Sequence, residues 1–342
     1  MLRMRRSVLQ RMLAVGSAGL LTAGAAPVLP ASAPRRPDRD IVSTRLTMRW
    51  LGVAGWELAF GGRSLLFDPY LSRMPYQGED GALDPKLPLR VDRAAVARVA
   101  GEQLVGPPEL ILVSHGHFDH IADVPELLAH PQWRRHRIRT LCDLTSRHLL
   151  TALGTPAERV ADMIPVRGGE YLQFDGYTVQ VIPSLHSQGA DHGYFAPDFL
   201  TAPLPKRPTT LGELPEGGTL MYLATFDGGP SVLLSGASNY IARELEGLRP
   251  DVAVISMTPH SGVHRYLDRL LDVLGDPPLI IPSHHDDMVS DLRAGATNTL
   301  WATPTRTAVT ALDKAATGRA VTASRVLTPQ PLLPLDITAE LR

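Results

Sequence analysis

The chain has 342 residues, 44% of them apolar and 20% charged, which is long enough for one large buried core and excludes disordered, collagen-like and coiled-coil chains. Its formal charge of −1 leaves no overall basic field, so nucleic acid is not an expected partner. The single cysteine, Cys142, rules out an intrachain disulfide and a cysteine-rich zinc knuckle, so any metal site must draw on the 12 histidines and the carboxylates.

The first 33 residues stand apart from the rest. They hold Arg3, Arg5, Arg6 and Arg11 and no acid, followed by a modestly apolar Ala/Gly-rich run from Met12 to Ala26 and the breakers Pro27 and Pro30. This reads as a signal peptide over 1–33 with its cleavage site somewhere in 26–33, and Arg5-Arg6-Ser7-Val8-Leu9-Gln10 resembles a twin-arginine signal. The prolines cut the run short of the roughly 20 apolar residues a bilayer span needs, so no stable membrane anchor is expected. The expected location is periplasmic or extracellular, reached through the export machinery of the twin-arginine route.

From Arg45 the pattern turns strand-like, with Arg45–Trp50, then Trp56–Phe60, a Gly61-Gly62 turn, and Ser64–Phe67 running into Asp68-Pro69. A polar, proline-rich stretch leads to a helix near Arg93–Val99, and Leu110–Val113 forms a short buried strand. Beyond it, Asp123 is the expected cap of a helix carrying Pro125 and Glu126 in its first turn. A strand at Arg139–Cys142, a helix over Ser146–Leu153 and strands at Glu170–Phe174 and Thr178–Ile182 follow. The Gly-, Pro- and Asp-rich segment 187–218 is too long for a plain connection and reads as a lid-like insertion. Strands at Leu220–Thr225, Ser231–Leu234, Val252–Ser256 and Leu279–Ile281, with a helix over Tyr266–Leu274, complete one domain over 45–342.

The chemistry concentrates in His115-x-His117-x-Asp119-His120, placed where the hydrophobic strand at Leu110–Val113 ends. A turn after a buried strand can aim two imidazoles one residue apart at a common point and send the carboxylate and imidazole beyond them to a neighbouring one. Neutral imidazole and carboxylate suit zinc, with manganese or iron as alternatives, and one or two ions are expected. Two further histidines close strands, His186 after Pro183-Ser184-Leu185 and His284 after Pro282-Ser283. Trp50, Trp56 and Tyr70 read as core residues.

Together with Asp68 in Phe67-Asp68-Pro69, these features resemble the metallo-β-lactamase superfamily over roughly Leu46 to Asp287, and within it the branch of lactonase-like and phospholipase-D-like hydrolases. The resemblance implies an α+β, four-layer αββα sandwich, with His115, His117 and His186 holding one metal and Asp119, His120 and His284 the second. It implies that Asp68 orients a ligand histidine. One position departs from the family: Leu233-Leu234-Ser235-Gly236-Ala237-Ser238-Asn239 carries Ala237 where a metal-bridging aspartate is usual, which weakens the second site. Asp286 and Asn239 are the candidate substitutes, at the metal or behind it, and His192, His260 and His285 are candidates to face substrate.

The expected function is an exported metal-dependent hydrolase of a small molecule, in which hydroxide generated on the metal attacks an ester, lactone or phosphodiester-type substrate while Asp119 orients the water. The competing expectations are a catalytically altered exported metal-binding protein, which Ala237 favours, and a mononuclear iron oxygenase of the same fold.

Overall fold

Side-chain alternation with a period of two lets one strand serve two cores. In Val252–Ser256 of this computed structural model, Val252 and Val254 join the core between two sheets, while Ala253 and Ile255 join a second core under the helices. Val232 and Leu234 against Leu233, and Leu279 and Ile281 against Ile280, divide in the same way. The helix Tyr266–Leu274 supplies the other half of the second core through Tyr266, Leu270, Leu271 and Leu274, one stripe at helical spacing, and ends at the left-handed Gly275.

The structure describes residues 44–294, 299–318 and 324–342, within a compact unit spanning Ile41–Arg342. The expected leader lies outside the described residues, among which no helix is long and apolar enough to cross a membrane. In chain order the strands are β1 (Leu46–Trp50), β2 (Trp56–Phe60), β3 (Arg63–Phe67), β4 (Leu110–Leu112), β5 (Arg139–Cys142), β6 (Met163–Pro165) and β7 (Tyr171–Phe174). They continue with β8 (Tyr177–Pro183), β9 (Leu220–Phe226), β10 (Ser231–Ser235), β11 (Val252–Ser256), β12 (Leu279–Ser283), β13 (Arg325–Val326) and β14 (Pro334–Asp336).

The described strands form two mixed sheets, ordered β14-β1-β2-β3-β4-β5-β6 and β13-β12-β11-β10-β9-β8-β7. With its helices, this is the expected α+β sandwich. Gly61 and Gly62, both at positive φ, close the two-residue hairpin between β2 and β3 that the sequence announces. Pro282 is tolerated inside β12 because β13 pairs only with Leu279 and Ile280, so no donor is needed on that side.

Three features differ from expectation. The helix Val124–Leu128 starts after Asp123, but the Asp123 side chain does not cap it. Its carboxylate turns instead to the backbone N–H groups of Leu71 and Ser72, at 2.5 and 2.7 Å, and ties down the chain after β3. The elements Ala157–Ala161, β6, Thr299–Thr317, β13 and β14 carried no signal strong enough to be read. Helix Leu144–Ala152 begins two residues before the expected Ser146, where Asp143 accepts from the Thr145 and Ser146 N–H groups.

The parallel strands β3 and β4 of one sheet and β10, β11 and β12 of the other all present their C-terminal ends to loops that carry candidate residues. Tyr222 on β9 crosses between the sheets, its buried hydroxyl donating to the Val113 carbonyl at 2.7 Å. Leu220 N–H binds the Ser114 carbonyl at 2.8 Å, so the turn after β4 is held from the opposite sheet. Tyr222→Phe leaves the Val113 carbonyl short of a donor and is expected to cost about 1–3 kcal/mol, read as a lower urea midpoint with an unchanged slope.

Candidate metal centre

The turn following β4 fixes four of the candidate ligands. Gly116 sits between the first two because nothing larger fits: a Cβ there would lie 2.2 Å from the Pro215 carbonyl oxygen, while Gly116 N–H donates to the Glu216 carbonyl at 2.8 Å. The insertion 187–218 thus presses directly on the backbone between His115 and His117. The chain then enters the short helix Phe118–Ile121, which presents Asp119 and His120. His186 follows β8 and His284 follows β12.

These residues come together as two groups. His115, His117 and His186 each offer one ligand atom, all within 4.8 Å of one another, and Asp119, His120 and His284 do the same. The groups adjoin, with the His115 and His120 ring centres 3.9 Å apart. His186, the least covered of them, is still partly buried.

Asp68 stands behind the second group. One of its carboxylate oxygens accepts from Ser114 N–H at 2.7 Å, and the other from Ser114 Oγ at 2.5 Å and His120 Nδ1 at 2.8 Å. His120 Nε2 is thereby aimed at Asp119 Oδ2, 3.4 Å away, which His284 Nε2 also approaches at 3.2 Å. Asp68 and His284 both lie at positive φ, +40° and +50°, a conformation costing about 1 kcal/mol for such residues. Hydrogen bonds hold each there: Asp68 N–H to the Leu112 carbonyl, and His284 N–H to the Val53 carbonyl.

Charge in this buried cluster is divided sharply. Burial, reinforced by the neighbouring imidazoles, holds His115 well below the usual histidine range and His186 at about 3. Burial likewise brings His117 down to about 4 against the opposing pull of Asp119. These rings are neutral, the form in which imidazole binds metal. Burial also opposes a proton on His120, but Asp119 and Asp68 on either side outweigh it and push that ring up to about 10. Burial opposes the charge of Asp119, yet His120 and His284 hold its carboxyl well below the usual range.

The donor set fits a metal. His115 Nδ1 bonds Ser114 Oγ at 2.9 Å while its Nε2 is buried without a hydrogen-bond partner, and an uncompensated buried polar atom is costly. Second ring nitrogens are fixed from behind, His186 Nδ1 by the Ser187 carbonyl and His120 Nδ1 by Asp68, as ligand histidines require.

Asp286 and Asn239 stand behind the donor groups rather than among them, and His192, His260 and His285 are not among the described residues lining the cavity. Asp286 is not a ligand: its carboxylate pairs with Arg73 at 2.6 Å and accepts from Val53 N–H. It therefore braces the loop whose carbonyl holds His284. Asn239 donates from Nδ2 to the His186 carbonyl at 3.1 Å and so positions that loop rather than binding an ion. His285 does not face the cavity; it stacks on Trp50, ring centres 4.6 Å apart, and bonds Thr305 Oγ1. His260 bonds the Met257 carbonyl through Nδ1 and leans on Tyr266, and His192 is exposed on a turn at Gly189. Gly236, rather than Ala237, lines the cavity, and a Cβ on it would strike Ser114 Oγ at 2.2 Å and Asp68 Oδ2 at 2.6 Å.

Above both groups lies a cavity of about 370 Å³. One wall comes from the insertion, where Tyr194 stacks on His186 and Phe195 meets His117 edge-on. The lining also includes Tyr76 and Leu83, from the polar, proline-rich stretch before the helix Arg93–Glu102. Their segment is zipped to the insertion by backbone bonds from Leu89 to Thr209, Leu211 to Leu87 and Gly212 to Pro85. A proline-rich stretch too irregular for a helix or strand, between Asp68 and the helix Arg93–Glu102, is the available signal.

Asp68→Asn keeps an acceptor for Ser114 but loosens the hold on His120, and is expected to weaken metal affinity about 10–100-fold in a chelator competition. Unchanged affinity would show that Asp68 does not set the ligand geometry.

A family profile described as a β-lactamase superfamily domain matches residues 63–258, more than half of the chain. A metal-dependent hydrolase of Sulfurisphaera tokodaii is 30% identical over 141 residues, 41% of this chain and 50% of that protein. One from Azorhizobium caulinodans is 25% identical over 146 residues, 43% of this chain and 51% of that protein. The chain thus spans about half the length of the curated relatives it matches. Among solved structures, a variant of CmlA, a diiron β-hydroxylase from Streptomyces venezuelae, superposes with a TM-score of 0.50 at 17% identity, covering 86% of this chain and 54% of that one. It shares the fold. With the profile spanning β3 to β11 and both donor groups standing at the strand ends, the chain belongs to the β-lactamase superfamily and has the metallo-β-lactamase fold.

Proposed function

We propose that this chain is a metal-dependent hydrolase acting on a small molecule, with His115, His117 and His186 holding one ion and Asp119, His120 and His284 a second. The observation that carries the reading is the pair of adjoining, buried donor groups opening on one cavity. The names of the relatives, metal-dependent hydrolases, agree with it. When bound, a divalent ion at such a donor set lowers the pKa of water toward about 7 and polarises a carbonyl or phosphoryl group.

The chain's own residues supply the rest. Asp119 lines the cavity as a carboxylate, with two histidine nitrogens within 3.4 Å of Oδ2, and serves to orient the attacking water and take up its proton. Phe195 packs edge-on against His117 and against the buried Phe118, an apolar cover that limits the access of bulk water to that ring. Zinc is the ion this nitrogen-rich set suits best, with manganese or iron as alternatives.

His117→Ala is expected to lower both the metal content found by elemental analysis and the turnover of model esters, the latter by at least about a hundredfold. Full metal content and turnover in that variant would defeat the proposal. A protein that binds metal tightly yet hydrolyses no ester, lactone or phosphodiester would instead be the altered binding protein that Ala237 suggests.

We further propose that the protein is exported by the twin-arginine route, on the strength of Arg5-Arg6 ahead of the apolar run. Replacing both, Arg5→Lys with Arg6→Lys, is expected to trap the precursor inside the cell. Undiminished export would overturn this route.

A further inference from the structure

The cavity carries the metal donors, and its exposed lining is mostly apolar. Tyr76, Leu83, Phe118, Phe195, Pro259 and Met288 contribute to it, beside the hydroxyl-bearing Ser187, Tyr194 and Thr258. None of the described lining residues is a lysine or arginine. The nearest guanidinium of the Tyr76 segment, Arg73, is buried and bound to Asp286, Asp287 and the Ser290 carbonyl. Of the lining hydroxyls, Ser187 Oγ is already engaged by Ser238 and the Thr258 carbonyl.

We infer that the substrate is an uncharged carboxylic ester or lactone whose non-reacting part is a compact apolar group. This rests on the hydrolase reading above. A charged substituent entering the cavity sheds its hydration and meets no lysine or arginine among the described lining residues, whereas an aliphatic or aromatic group gains by leaving water. Away from the ions, the charge that a phosphate ester retains calls for a guanidinium or ammonium, and the described lining offers neither. The volume of about 370 Å³ equals roughly a dozen water molecules' share of liquid, room for a short acyl chain or one aromatic ring. Both walls are held: Phe195 packs against His117 and Phe118, and the loop bearing Tyr76 and Leu83 is closed by the Asp84 N–H to the Tyr76 carbonyl and runs into Pro85–Leu89, which is bonded to the insertion. In the reaction the water oxygen forms the new acyl C–O bond, the bond to the leaving oxygen breaks, and the proton released from water reaches that oxygen by way of the Asp119 carboxylate.

The test compares phenyl hexanoate with monophenyl adipate, which adds a carboxylate at the far end, using the zinc-loaded full chain. The expected kcat/KM favours hexanoate at least tenfold, and Leu83→Lys, which sets an ammonium at a partly exposed edge of the cavity, shrinks that ratio at least fivefold. Equal turnover of the two esters, or faster turnover of bis(p-nitrophenyl) phosphate, would overturn the inference. If neither the esters nor bis(p-nitrophenyl) phosphate is hydrolysed, the hydrolase reading fails, and the cavity is then read alone by calorimetry with hexananilide and adipic acid monoanilide. At least tenfold tighter binding of the uncharged anilide is expected, and equal or reversed affinities would overturn the inference independently.

Discussion

Five imidazoles and two carboxylates packed out of water are the constraint on which this molecule turns. Left to themselves, such groups shed charge, and three of the rings do, since burial keeps His115, His117 and His186 neutral. The other group keeps its charge because it is balanced: Asp68 and Asp119 bracket His120, and His284 adds a second contact to Asp119. One side of the centre is therefore a set of neutral nitrogen donors and the other an anionic pocket, two environments suited to cations but different in strength. Replacing the proton on His120 with an ion leaves every surrounding bond in use.

The fold exists, in this sense, to make five strand ends meet. β4, β8 and β12 deliver the ligand histidines, while β3 and β10 deliver Asp68 and the Gly236 turn that closes over it. Close backbone approach is essential at two of these ends. Gly116 admits the Pro215-Glu216 backbone beside the ligand turn, and Gly236 admits Ser114 and Asp68. Strained positions at Asp68 and His284 are held by long-range hydrogen bonds, so the geometry belongs to the assembled sandwich and not to any local motif.

Much of this was legible in the sequence because its determinants are local. The H-x-H-x-D-H spacing follows an apolar strand within a few residues, and His186 and His284 each follow a run readable as a strand. What escaped depends on distant partners. His284, His285 and Asp286 are consecutive, yet the positive φ of His284 sends them apart, to Asp119, Trp50 and Arg73 respectively. Adjacency in sequence therefore suggests a cavity-facing His285 that the fold turns away, while Asp286 stands behind His284 through the Val53 loop. Asp123 looked like a helix cap because its spacing allows one, but the unfilled N–H groups of Leu71 and Ser72 claim it. β14 pairs with β1 across nearly the whole chain, and the cavity wall at Tyr76 and Leu83 owes its place to bonds with residues 209–212, neither of which leaves a periodic trace.

The most direct measurement is anomalous diffraction at the zinc edge from crystals of the zinc-loaded protein. The account predicts density within bonding reach of His115, His117 and His186, with a second and weaker peak among Asp119, His120 and His284. Zinc bound only elsewhere, with both donor groups bare, would contradict it.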